Sequence, residues 1–117
     1  MDIESFRSYC MAKKGVTEEF PFGDTTLVYK VMGKIFVLTG IETFSSMNLK
    51  VDPEMSIELQ ERYPSVKPGY HMNKKHWITV LMDGSIPDKL VKEWIDNSYQ
   101  LVASSLTRSQ KTLLETL

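Results

Sequence analysis

The sequence contains one cysteine, Cys10, so no disulfide can form within the chain. No run of about eighteen apolar residues is present, which argues against a membrane-spanning helix. The opening residues Met1-Asp2-Ile3-Glu4 lack the basic and apolar stretches of a secretory signal. These absences lead to the expectation of a cytoplasmic protein with no membrane partner. Positive charge is not in excess either: 14 Lys and Arg stand against 15 Asp and Glu, a net charge of −1. Proteins that hold nucleic acid through many phosphate contacts usually carry a clear basic surplus, so such a surface would have to be a local patch. There is no phosphate-cradling glycine loop, Walker pattern or dinucleotide fingerprint, and hence no sign of a nucleotide cofactor.

With 117 residues, 42% of them hydrophobic and 25% charged, the chain is long enough to bury a core as one domain spanning 1–117. No linker, repeat or low-complexity tract divides it. Asp2 to Lys13 reads as a helix, with Asp2 as N-cap, Ile3, Phe6 and Cys10 on one face and Gly15 supplying the left-handed turn beyond it. Glu18 to Asp24 reads as a loop, marked by Pro21 and Gly23. Thr26–Val31 and Lys34–Thr39 are strand-like and joined by Met32-Gly33, a connection suited to a hairpin. Ser46–Val51 alternates, with Met47, Leu49 and Val51 on one side and Ser46, Asn48 and Lys50 on the other. One face of that strand is therefore buried and the other is wet or used for binding.

Asp52-Pro53 opens a second helix on which Met55, Leu59 and Tyr63 share a face, although Ile57 falls opposite, and Pro64 ends it. His76–Met82 reads as another strand. Ser85, with Asp88 three residues on, suggests a capping box for a long helix whose stripe is Leu90, Val91, Trp94, Ile95, Ser98, Tyr99 and Val102. Thr107 can cap a short terminal helix. The order of elements predicts an α+β fold, a mostly antiparallel sheet with helices on one face and the other face exposed.

The chemistry-bearing stretch is Pro64 to Met82. It holds Lys67, Lys74, Lys75, His71 and His76 and no acidic residue. A hairpin with Asn73-Lys74 at its tip would set Met72 opposite Lys75, His71 opposite His76 and Tyr70 opposite Trp77. Such a wing could lay lysines on phosphates while Asn73 or a histidine reaches a groove. A solvated turn held by an ordinary Tyr–Trp cross-strand pair is the plainer alternative. Two histidines without further ligands do not complete a metal site. Cys10, on an apolar helix face, reads as a small buried hydrophobe, and Glu18-Glu19 as solvated charge. Nothing specific supports an enzyme. The aromatics of Phe20-Pro21-Phe22 are expected to plug the core edge between first helix and sheet, or else to wall a pocket.

The stretches Gly15 to Gly23, Lys34-Ile35-Phe36, Asn48-Leu49-Lys50 with Asp52-Pro53, and Pro68 to Trp77 together resemble the MmcQ/YjbR family. The similarity runs from the first helix through Tyr99 and leaves the tail after about residue 106 outside. It implies a CyaY-like twisted antiparallel sheet with helices on one side, and a DNA-binding role through a double wing. The positions that match its signature are Tyr70, His71, Asn73, Lys74, Lys75, His76 and Trp77, with Lys50 on the strand before the second helix. Lys67 joins them from the acid-free segment. Iron binding is not implied, because the first helix offers only Asp2 and Glu4 near its start. The expectation is a monomeric DNA-binding protein without catalytic residues, metal or cofactor. The alternative is a small-molecule or protein-binding module whose pocket is lined by the Pro21–Phe22 and Tyr70–Trp77 regions.

Overall fold

The computed structural model describes residues 1–117. The elements run α1 (Ile3–Met11), β1 (Val16–Glu19), β2 (Thr26–Val31), β3 (Lys34–Gly40), β4 (Ser46–Lys50), α2 (Pro53–Arg62), β5 (Val66–Pro68), β6 (Trp77–Leu81), α3 (Asp88–Ser104) and α4 (Arg108–Glu115). All strands pair antiparallel in one sheet of order β1-β2-β3-β4-β6-β5. The α+β class and the open antiparallel sheet agree with the sequence pattern. No helix is long and apolar enough to cross a membrane.

Local chemistry accounts for most boundaries. Asp2 and Asp52 accept the amides of Ser5 and Met55 and so cap α1 and α2. Met32 and Gly33 both take positive φ, 49° and 87°, the pair of left-handed residues that a tight β-hairpin needs. Thr107 caps α4 through a complete capping box with Gln110.

Two boundaries differ from expectation. Glu18 and Glu19 belong to strand β1, not to a loop, and pair with Tyr29 and Val28. Their carboxylates are occupied: Arg7 donates to Glu18 through two nitrogens, at 2.9 and 3.0 Å, and Tyr29 Oη donates to Glu18 at 2.6 Å. These bonds hold the Glu18 carboxyl below its usual range, the Arg7 bond being the strongest cause. Ser85 does not cap α3, which starts at Asp88 with no side-chain cap. Ser85 instead donates to Asp83, which also accepts from Ser65, so the three side chains fasten the turn after β6.

The core lies between the sheet and the helices. Leu27, Tyr29 and Val31 of β2, Met47 and Leu49 of β4 and Ile78 and Val80 of β6 meet Phe6 and Cys10 of α1 and the α3 stripe of Val91, Trp94, Ile95, Tyr99 and Val102. A bulge in β3 lets Phe36 and Val37 both enter this core, since Tyr29 pairs with Val37 but Lys30 pairs with Ile35. Buried Ser98, the one polar residue in the α3 stripe, donates to the Phe36 carbonyl at 2.6 Å. Cys10 is fully buried, and burial pushes its thiol up to about 12, which agrees with an inert core residue.

Candidate functional site

The strand residues that alternate away from the core build the other face of the sheet. Val28, Leu38 and Trp77 form a small buried cluster there, with Ile35 and Met72 against it. Around it stand Thr26, Lys30, Asn48, Lys50 and Thr79, half-buried or nearly buried polar side chains, with Lys50 reaching toward the end of α3. Two loops rise at the sides. The β1–β2 loop carries Phe22, 66% exposed, and the β5–β6 loop carries Tyr70, 68% exposed.

Between these loops lies a cleft of about 460 Å³. Its floor comes from Thr26, Leu38 to Gly40 and Ser46 to Asn48, and its walls from Phe22 on one side and Tyr70, His71 and Met72 on the other. Phe22 therefore does not plug the core edge; it is a cleft wall. The Tyr70 and His71 rings are in contact at a tilt, with centroids 4.0 Å apart and planes inclined at 54°. His71 holds φ at 59°, a left-handed backbone that costs a non-glycine residue and that packing around it must maintain. A short relay anchors the same wall: Tyr70 N–H donates to Thr79 Oγ1 at 2.9 Å, and Thr79 Oγ1 donates to Asn48 Oδ1 at 2.5 Å. With its oxygen so engaged, Asn48 has its amide N–H donors to offer to the cleft.

The expected hairpin is corrected by this geometry. The β5–β6 ladder ends at Pro68 opposite Ile78, and Gly69 N–H donates to the Trp77 carbonyl, so Gly69, not Tyr70, faces Trp77. A one-residue shift of register exchanges the faces of a strand, which is why the proposed Tyr70–Trp77 and His71–His76 pairs do not form. Beyond Gly69 the chain makes local turns, with Met72 N–H donating to Gly69 O and His76 N–H to Asn73 O. Gly69 is required at its place: a Cβ there would sit 2.7 Å from Trp77 Cβ and 2.8 Å from its carbonyl oxygen.

The expected site residues divide into four groups. Tyr70 and His71 line the cleft. Lys50, His76 and Trp77 line a separate recess beside Lys34, and there Lys50 Nζ lies 5.2 Å from the centroid of the buried Trp77 ring. Lys67 and Lys75 are exposed at the periphery. Asn73 accepts the Lys75 amide and so shapes the turn, while Lys74 Nζ donates to the Gly69 carbonyl at 3.0 Å. No ion pair in the structure involves Lys50, Lys67, Lys74 or Lys75, whereas Lys30 is paired with Glu19. No three His, Cys, Asp or Glu side chains converge as a metal site would need. The sequence reading missed Thr26, Leu38, Asn48 and Met72 as cleft residues. The alternation of Ser46–Val51 placed Asn48 on the open face, and the alternative reading put Phe22 and Tyr70 on one pocket, but nothing local says which strands form its floor.

Comparison with known proteins places this arrangement in a known group. A family model described as YjbR matches residues 11–101. The chain is 33% identical to the uncharacterized protein YjbR of Escherichia coli K12 over 115 residues, 97% of this chain and 98% of that protein. It is 46% identical to the uncharacterized protein YbdF of Escherichia coli O157:H7 over 94 residues, 79% of this chain and 77% of that one. Among solved structures, Deinococcus radiodurans protein DR2400, with a DUF419 domain, superposes with a TM-score of 0.90 at 40% identity, covering 97% of this chain and 88% of that one. A Pseudomonas syringae protein superposes with a TM-score of 0.72 at 30% identity, covering 86% and 98% respectively. The chain belongs to the YjbR family.

Proposed function

We propose that the protein is a non-catalytic binding module that takes a flat, largely apolar small molecule in the cleft between Phe22 and Tyr70. The observation that carries this reading is the exposure of two large aromatic rings, 66% and 68%, on separate loops that line one cleft. Folding leaves 66% and 68% of these side chains in water, and complete burial of a large apolar side chain is worth about 1.5–3 kcal/mol. A ligand held between them recovers part of that burial, and Asn48, Thr26 and the His71 ring supply the few polar contacts that orient it. The lining carries no acid or lysine, so the ligand is uncharged over the part that enters. A screen of planar aromatic compounds by ligand-observed NMR tests this. A true ligand shifts the amides of Leu38–Gly40 and Ser46–Asn48, and Tyr70→Ala abolishes the effect. No compound moving those amides at millimolar concentration would remove the reading.

DNA binding in the cytoplasm is the second reading, supported by Lys67 and Lys75, which are exposed and in no ion pair. Lys74, one of whose three N–H donors goes to the Gly69 carbonyl, is held against its own loop and keeps its charge. Phosphate contacts at both lysines predict that affinity for duplex DNA falls with salt, and that Lys67→Ala/Lys75→Ala reduces the log–log slope by about 2. Absence of binding at low salt would leave the cleft reading alone.

A further inference from the structure

We propose a second ligand site, an anion recess at the junction of β3, β4 and the C-terminal end of α3 that takes the phosphate head of a small metabolite. The recess measures about 660 Å³ and is separate from the aromatic cleft, with which it shares no lining residue. Lys34 enters it from the start of β3, Lys50 from the end of β4 and His76 from the residue before β6. Three nitrogen-bearing side chains from three segments thus line one concavity, and lysine ammoniums bind phosphate as point charges without needing a planar fork. The single carboxylate of the lining, Asp52, keeps its charge while its Oδ1 accepts the Met55 amide as the cap of α2, so the two lysines exceed it by one.

The lysines are held in place without being neutralised. Lys34 Nζ donates to the Ser105 carbonyl at 3.2 Å, at the end of α3, which leaves two further N–H donors on that ammonium. Lys50 rests over the Trp77 ring and has no carboxylate partner. Ile35, Leu101 and Val102 provide apolar wall beside the charges, room for a carbon skeleton attached to the head group. The cations are gathered in one recess and not spaced along a track, so a single head group fits them better than a nucleic-acid backbone.

The test uses inorganic phosphate as probe and follows backbone and Lys side-chain NMR signals against sodium chloride at equal ionic strength. Saturable shifts confined to Lys34, Lys50 and His76 are expected, with a Kd on the order of a millimolar. Lys50→Met keeps the stem over Trp77 and removes the charge; it should raise the Kd about fivefold, as should Lys34→Met. Lys67→Met, outside the recess, should leave the Kd unchanged. An unperturbed spectrum for each free variant shows that the fold is kept, and Lys34→Met carries the test if Lys50→Met disturbs Trp77. Shifts that do not saturate, or that weaken equally in Lys67→Met, would overturn the proposal.

Discussion

The two faces of the sheet come from the same strands by the same alternation, yet they end in opposite states. On one face, Leu27, Tyr29, Phe36, Leu49 and Ile78 are fully buried under α1 and α3. On the other, Val28, Leu38 and Trp77 bury one another, but no helix closes over them and the surrounding positions are polar. The covered face gives most of the stability. The open face spends little of its surface on folding and keeps aromatic rings in water where a partner can reach them. A sheet with helices on one side only thus separates the stabilising surface from the binding surface, and substitutions on the two faces should differ in kind.

The largest effect is expected at Phe36, whose bulged position drives its ring into the covered core against Tyr99, with ring centroids 5.4 Å apart. Phe36→Ala should cost about 4 kcal/mol of stability, the range for a large core aromatic that leaves a cavity, read from the urea midpoint. A cost below about 1 kcal/mol would mean that the covered face is not the stabilising one.

Gly69→Ala comes next and probes the open side by a different route. Its new methyl would collide with Trp77 backbone atoms, which cannot swing aside as a side chain could. The loop must separate from β6, at a cost of about 2 kcal/mol, and the Tyr70–His71 wall should move with it. Amide shifts spreading from Tyr70 to Met72 would show that movement.

A smaller effect is pH-dependent and lies where the chain passes from the sheet to the covering helix. Hydrogen bonds from Ser85, then Ser65, lower the Asp83 carboxyl from its usual 3.8 to about 2. A carboxyl with a lower pKa folded than unfolded contributes stability above the unfolded value and loses it as pH falls through the folded one. The Tm difference between wild type and Asp83→Asn should therefore be constant above about pH 5 and close between about pH 4 and 2. A difference that persists unchanged at pH 2 would show that the Ser65–Asp83–Ser85 bonds do not depend on the charge.

Much of the covered face is legible in local chemistry. Asp52-Pro53 announces α2, Met32-Gly33 announces a tight hairpin, and the spacing from Val91 to Val102 announces the buried stripe of α3. The open face is harder because its features depend on register and on contacts between distant loops. Asn73-Lys74 suits a hairpin tip, but the Gly69–Trp77 contact sets the register one residue away, so Tyr70 leaves Trp77 and lies tilted against His71. Val16 to Glu19 pairs as a strand because β2 offers an edge there, which the Glu-rich local sequence does not advertise. The cleft sets residues 22 and 70 over a floor from β2, β3 and β4, and that floor only the fold supplies.

The smallest expected effect on stability is the one that most sharpens the contrast between the faces. Phe22 and Tyr70 leave 66% and 68% of their surface in water, so truncating either should change stability by less than about 0.5 kcal/mol. The same truncations should remove any rise in Tm that a cleft ligand gives the wild type, because that rise measures ligand bound to the folded state. A side chain that matters for binding and not for folding is what an open-face site requires. If Phe22→Ala or Tyr70→Ala instead destabilises the free protein by 2 kcal/mol or more, in the range of a buried side chain, then the rings serve to hold the loops down and the cleft is packing rather than a site.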